Sequence, residues 1–404
     1  MPQLYSLAPA RRRMAPLVLA LGLVGAVAPS LAAQRTRPTV APAGPAIDSA
    51  AWASLRWRHI GPEGNRVTSV AGVAGDRTTY YAGAASGGLW KTSDGGNSWQ
   101  PVFDDQPVSS IGSLATAPSD PNVVWAGTGE PFIRSHISIG WGVWRSTDAG
   151  KSFTRMGLEQ TGRIARIVVH PTNPDLVYVA SLGHSYGPQA ERGIYRTTDG
   201  GKSWEKVLFV NDSTGASDLV MDPNNPRILF AGMWQVQLNT WGRFSGGAGS
   251  GIWMSRDGGT TWKRLTGNGL PTTPMGKIGL AMSKANSSRV YALIEAGDGL
   301  PAVNVADTTT RGRLWRSDDG GTTWQVVSYD QQVAGRTHYY NRMTAMPDNA
   351  DEAYFLTANW AKTLDGGKTI LDPPFKEVPA GDHHDVWVDP TNGHIVTINR
   401  HAEV

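Results

Sequence analysis

One octapeptide pattern returns six times along this chain. It reads Thr92-Ser93-Asp94-Gly95-Gly96-Asn97-Ser98-Trp99, then Ser146-Thr147-Asp148-Ala149-Gly150-Lys151-Ser152-Phe153, and recurs around Asp199, Asp257, Asp319 and Asp365. Successive aspartates are 46 to 62 residues apart, a period near that of one four-stranded propeller blade. Each copy lies between short alternating runs, such as Gly193-Ile194-Tyr195-Arg196 before Asp199 and Trp204-Glu205-Lys206-Val207 after it, so the pattern is predicted to be a hairpin turn. Asp accepts hydrogen bonds from the amides of its own turn, Gly supplies positive φ, and the aromatic residue packs beneath. Six copies of one turn cannot be six active sites. Asp94, Asp148, Asp199, Asp257, Asp319 and Asp365 are therefore read as structural.

A second motif interleaves with the first. Ala117-Pro118-Ser119-Asp120-Pro121-Asn122, His170-Pro171-Thr172-Asn173-Pro174-Asp175 and Met221-Asp222-Pro223-Asn224-Asn225-Pro226 each join two apolar runs, and variants at Val73, Met282, Met346 and Val388 bring the number to seven. Each unit then reads as strand a, Asp-Pro-type turn, strand b, loop, strand c, octapeptide, strand d. A β-sandwich array also uses short strands, but it does not require two motifs phased at one period. The expected fold class is all-β, a β-propeller of about seven four-stranded blades over residues 54–404. Its last blade is expected to be incomplete. The seventh unit has the turn Asp389-Pro390-Thr391-Asn392 and the run Ile395 to Ile398 with no octapeptide after it. Leu55 to Ile60 is placed to return as the outer strand of that blade, leaving strand c missing, as expected of a product truncated from a longer protein.

The N-terminus suggests export. Arg11, Arg12 and Arg13 precede an uncharged apolar stretch from Met14 to Ala28, and Ser30-Leu31-Ala32-Ala33 offers small residues for cleavage. Residues 1–33 are thus expected to be a signal peptide, and the Pro- and Ala-rich residues 34–53 a disordered leader. The formal charge of +3 falls to zero once the three arginines are removed, because residues 1–33 hold no acid. A neutral chain has no global attraction for nucleic acid, and no later segment is apolar enough to insert in a membrane. With no cysteine, disulfides, zinc-thiolate sites and a thiol nucleophile are excluded.

The octapeptides resemble the Asp-box, or bacterial neuraminidase repeat, of sialidases, xyloglucanase-type hydrolases and sortilin-type receptor propellers. Trp57-Arg58-His59-Ile60-Gly61-Pro62, Gly127-Thr128-Gly129-Glu130, Trp141 to Asp148 and Gly381-Asp382-His383-His384 are similar to exported bacterial proteins of the sortilin-like and glycosyl-hydrolase-like kind. The resemblance spans residues 54–404 and implies the fold more strongly than an activity, because the same turn serves enzymes and receptors. Its sialidase branch implies three arginines gripping a carboxylate, a tyrosine nucleophile and a separate acid. Its xyloglucanase branch implies two acids contributed from two facing propellers.

Insertions concentrate in the b-to-c loops, through Gly127 to Trp141, Ser181 to Arg192, Gly232 to Ser250 and Glu295 to Arg311, whereas the octapeptide turns barely vary. Binding is expected at the loop face. There the residues opening the inner strands line the mouth: Arg66, Arg163, Asp218, Lys277, His338, Arg342, His383, His384 and Asp385. Arg66, Arg163 and Arg342 are the available arginines, with Tyr339 and Tyr340 beside the last; Glu130, Asp218, Glu295 and Asp385 are the available acids. Trp141, Trp234, Trp241 and Trp360 lie in or beside the loops, where a ring can stack on a sugar or grip a peptide side chain. Adjacent strand residues point to opposite faces, so Asp382-His383-His384-Asp385 reads as a polar strand start, and no metal or cofactor is expected. The reading adopted is an exported binding module receiving a peptide, protein or glycan ligand, with a glycoside hydrolase as the alternative.

Overall fold

The computed structural model describes residues 66–134, 137–296, 313–334, 336–358, 360–371 and 381–398. All lie in the compact unit Ile60–Val404. The signal peptide, the leader and the outer strand expected at Leu55 to Ile60 fall outside the described residues.

Seven antiparallel sheets follow one another along the chain. The first holds β1 (Val67–Gly72), β2 (Tyr80–Ala84), β3 (Leu89–Thr92) and β4 (Gln100–Pro101); the second holds β5 (Ile111–Ala117), β6 (Asp120–Thr128), β7 (Val143–Ser146) and β8 (Thr154–Arg155). The third holds β9 (Ile164–His170), β10 (Asn173–Ser181), β11 (Gly193–Thr197) and β12 (Glu205–Leu208). In the fourth, β13 (Thr214–Met221) pairs with the long β14 (Leu229–Asn239), which also carries β15 (Gly242–Ser245) as a hairpin before β16 (Gly251–Ser255) and β17 (Lys263–Arg264). The fifth runs β18 (Ile278–Met282), β19 (Val290–Ile294), β20 (Leu314–Ser317) and β21 (Gln325–Ser328). The sixth has β22 (Arg342–Ala345), β23 (Ala353–Leu356) and β24 (Ala361–Thr363), and the seventh β25 (Val386–Val388) and β26 (Val396–Ile398).

Every octapeptide caps the third strand of its sheet. In the second copy the Ser146 hydroxyl donates to Asp148 Oδ1 at 2.7 Å, while the Ser152 amide and hydroxyl donate to the two carboxylate oxygens at 2.9 and 2.6 Å. Ser98 and Ser203 hold Asp94 and Asp199 in the same way. Two backbone positions in each turn take positive φ, which Gly adopts freely; in the second copy Ala149 occupies the first of them at φ 59°. The phasing of the two motifs has a direct cause. The residue after each Asp donates its amide to a carbonyl of the a-to-b turn in the same sheet, with Ala149 to Asn122 at 2.9 Å, Gly200 to Asp175 at 3.0 Å and Gly320 to Ser288 at 2.8 Å.

The core lies between successive sheets. Phe230 of β14 packs with Ile278, Leu280, Val290 and Trp315 of the next sheet, all buried, and each such side chain contributes about 2–3 kcal/mol. First strands pack in series: β1 on β5, β5 on β9, β9 on β13, β13 on β18, β18 on β22, β22 on β25, and β25 on β1. At the last of these contacts the Val70 amide donates to Asp385 at 3.2 Å and the Gly75 amide to Asp389 at 2.9 Å. The Trp387 ring lies where any side chain at Gly72 would collide with it.

Candidate functional site

Antiparallel order sends the a-to-b and octapeptide turns to one end of each sheet, and the b-to-c loops with the approaches to the first strands to the other. The two ends differ in the interior. At the turn end a cavity of ≈ 470 Å³ opens among Pro118, Val168, Leu219, Met282, Met343 and Val386, with Arg166 in its wall. At the loop end, where an open mouth is expected from sequence, aromatic rings fill the space. Phe132 of the 129–141 loop lies 4.5 Å, centroid to centroid, from His384, and Tyr339 lies 4.7 Å from Tyr340 and 4.8 Å from His384. The Lys277 ammonium sits 5.1 Å from the Phe132 ring and 5.5 Å from that of Trp234, and donates to the Tyr339 carbonyl at 3.2 Å. Burial, with Arg342 nearby, pulls Lys277 down to about 7.

Behind these rings the first strands share a charged cluster. Arg166 of β9 reaches Asp218 of β13 at 2.8 Å and Asp385, just before β25, at 3.4 Å; Arg342 of β22 lies 3.7 Å from Asp385 and donates to the Ala165 carbonyl at 2.6 Å. Asp218 also accepts the Leu280 amide of β18 at 2.9 Å. Burial alone would raise Asp218, but Arg166 and Arg342 outweigh it and hold the carboxyl below its usual range. Burial, reinforced by Arg166, lowers Arg342 to about 10. These groups come from several sheets, so the cluster ties first strands distant in sequence to one another.

Of the residues singled out from sequence, Asp218, Arg342 and Asp385 meet in this cluster. Arg66 and Glu130 form a separate buried ion pair; burial raises the carboxyl and lowers the guanidinium, against their mutual attraction. Arg163 is buried, reaches the Gly183 carbonyl at 3.5 Å and, like Arg66, feels the charge of Glu130, whereas Arg342 is engaged with Asp385 and the Ala165 carbonyl. His383 is buried with its ring 6.2 Å from that of Trp360, and His338 is half-buried. Trp234 is fully buried, its indole donating to Ser245 at 2.9 Å. Two tryptophans do face solvent. Trp241, in the β14–β15 turn, is 83% exposed, and Trp141 is 39% exposed with the Arg155 guanidinium 3.8 Å from its ring centroid. Glu295 accepts from the Ser245 hydroxyl at 2.5 Å and from the Lys277 amide at 2.8 Å.

Arg166 and Phe132 escape the reading from sequence. Arg166 has a local signal, a lone charge in the apolar run Ile164-Ala165-Arg166-Ile167, but its two partners lie 52 and 219 residues away. Phe132 has none.

Residues 142–273 match the Sortilin-Vps10 family, described as "Sortilin, neurotensin receptor 3". Xyloglucanase Xgh74A of Acetivibrio thermocellus is 26% identical over 311 residues, covering 70% of this chain and 34% of that protein. The chain thus spans about a third of the length of the curated relative. Among solved structures, the Niastella koreensis GH74 enzyme superposes with a TM-score of 0.53 at 19% identity over 78% of this chain and 46% of that one. A structure described as YCF48 bound to D1 peptide gives 0.53 at 15% identity, covering 84% and 94%. The fold is that of an all-β propeller-type protein.

Proposed function

We propose that this chain supplies the substrate-holding propeller of an exported polysaccharide hydrolase of the xyloglucanase kind, its seven sheets serving as blades of one closed ring. The observation that carries this reading is the loop end itself, where exposed Trp141, Tyr186 and Trp241 stand on loops of three successive sheets above a centre filled by Phe132, Tyr339 and His384. A filled centre disfavours a ligand threaded inward and favours a chain lying across the face, with flat rings for sugars to stack upon. The similarity to xyloglucanases supports the same class of ligand, and the contact of β25 with β1 supports the ring. Glu130, Asp218 and Asp385 are held in internal ion pairs and Glu295 in hydrogen bonds. A hydrolase needs two carboxyl groups about 5–9.5 Å apart flanking the scissile bond. In this reading at least one comes from outside these four, as the xyloglucanase resemblance implies for two facing propellers.

The sortilin match over 142–273 supports a second reading, a peptide-binding module. Affinity electrophoresis in gels containing xyloglucan, run beside a peptide array, separates the two. Retardation by xyloglucan with no reducing-sugar release from this chain alone is expected. Mobility unchanged by any polysaccharide, with selective capture of peptides, would replace the first reading by the second.

A further inference from the structure

The cavity at the turn end lies opposite the exposed rings of the loop end, and its ≈ 470 Å³ falls within the range of about 300–1,000 Å³ in which proteins enclose small molecules. Every sheet lends it a residue, from Ala74 after β1 to Val386 on β25, so the space is complete only when all seven are in place. Its opening is framed by a-to-b turns that bring Pro118, Pro171, Pro223 and Pro390 there. A proline ring fixes its own backbone, so this rim is preformed. Farther in, Met221, Met282 and Met343 come from three successive sheets. Their unbranched side chains adapt to the outline of an occupant, whereas water finds few partners on such walls.

One cation faces this apolar wall from its inner end. First strands run from the loop end to the turn end, and Arg166 stands two residues before Val168 on β9, hence on the same side and deeper. Its side chain is 21% exposed although first strands surround it, and that exposure is to the cavity it lines. Of the donors on its guanidinium, Nε is engaged by Asp218 at 2.8 Å and Nη1 by Asp385 at 3.4 Å, while Nη2 meets no protein acceptor among the described residues. The other polar side chains of the lining are Lys284, which is exposed, Thr344, and Thr391, whose hydroxyl donates to Asp389 at 2.6 Å. Arg166 is poorly placed to receive an anion. It shares Asp218 and Asp385 with Arg342, two carboxylates for two guanidiniums, so a bound carboxylate would meet two groups of its own sign. A neutral oxygen accepts from Nη2 without that repulsion.

We propose that the turn-end cavity is a binding site for an uncharged, largely apolar small molecule carrying one carbonyl or hydroxyl oxygen, which accepts from Arg166. The site is independent of the glycan reading: it uses the other end of the sheets and a different chemistry.

Fluorescence titration of the full chain tests it, with three probes built on one dimethylaminonaphthalene: the propionyl ketone, the parent hydrocarbon amine without the ketone, and the carboxylate in place of the ketone. The ketone is expected to bind with one-to-one stoichiometry and blue-shifted emission, at least about tenfold more tightly than either of the others. Met282→Trp and Val168→Phe, each adding bulk at a half-buried wall position, are expected to weaken it at least about tenfold. Arg166→Lys, which keeps the charge and removes Nη2, is expected to bring the ketone and the parent within about twofold of each other. No saturable binding, a carboxylate that binds as tightly as the ketone, a parent that does so, or an affinity that both occluding variants leave unchanged overturns the proposal. Should Arg166→Lys fail to fold, the ranking of the three probes on the unaltered protein decides the role of Arg166, and either occluding variant decides the location.

Discussion

Asp148 and Asp218 carry the same carboxylate in opposite settings. Asp148 lies on the surface and is satisfied within four residues of itself by Ser146 and Ser152, whose hydrogen bonds, the Ser152 hydroxyl foremost, hold it down to about 2. Asp218 is buried and, beyond the adjacent Leu219 amide at 2.9 Å, is satisfied by Arg166 and the Leu280 amide, 52 and 62 residues away. The first kind of site is closed by the chain's own next turn, and the second exists only once several sheets have assembled. Their responses to substitution should differ accordingly.

The largest effect is expected at Arg166. Replacing it with Met leaves Asp218 and Asp385 buried without the cation that joins them, and breaking a buried ion pair from one side costs about 3–5 kcal/mol. Denaturant unfolding should show this loss. A change below about 1 kcal/mol would mean that Arg342 and the backbone amides satisfy both carboxylates without Arg166.

Lys277 sharpens the contrast from the cationic side. Its folded value of about 7 lies below the ordinary lysine value of 10.5, so between these pH values the unfolded chain binds the extra proton. Stability should therefore rise as pH increases from about 7 to about 10, because the cost of burying the charge is progressively relieved. Thermal unfolding across that range should show the slope in the unaltered protein and lose it in Lys277→Met.

A smaller effect belongs to the turns. Asp148→Ala removes the acceptors for two hydroxyls and one amide, and the unfolding midpoint should fall by roughly 2–4 °C. The sign with pH is the same as that of Lys277, since both groups are lowered on folding, but the window is acidic. The carboxyl is depressed from 3.8 to about 2, so its contribution is present above about pH 4 and is lost as pH falls toward 2. Calorimetry of the variant should show a weaker acid dependence over that interval.

This difference also marks what was legible in the sequence. The octapeptides specify their turn through residues at fixed short offsets, and the interleaved Asp-Pro-type turns are the partners to which they are hydrogen-bonded, so the sheets and their order followed from pattern alone. Arg342, Asp218 and Asp385 were recognisable as charges opening first strands, but nothing local tells whether such charges face solvent or one another. One of them, Arg342, lies 5.4 Å from the ring of Phe132, which a loop of the second sheet lays against His384. Trp234 and Trp241 make the same point within seven residues: one is sealed by Ser245 and Lys277, and the other stands on a hairpin turn in water. Composition cannot separate them, because the β14–β15 ribbon that does so has no counterpart in the other sheets among the described residues.

Trp241 carries the smallest expected effect on stability and the clearest one on function. Its ring is 83% exposed, so Trp241→Ala removes little buried area, and unfolding free energy should stay within about 0.5 kcal/mol of the unaltered protein. An exposed tryptophan on a two-residue turn gains contact area only when a ligand covers it, and covering an aromatic anchor of this kind contributes about 2 kcal/mol or more in a well-packed interface. Retardation by xyloglucan in the gel should therefore be lost with the fold intact, whereas Trp234→Ala should cost about 3–5 kcal/mol by leaving a cavity between Ser245 and Lys277. If Trp241→Ala left retardation unchanged while Trp141→Ala abolished it, the glycan would cross the face over the second sheet rather than the fourth. If neither substitution mattered, the exposed rings would not be the stacking surface, and the ≈ 470 Å³ cavity at the turn end would become the place to look for the ligand.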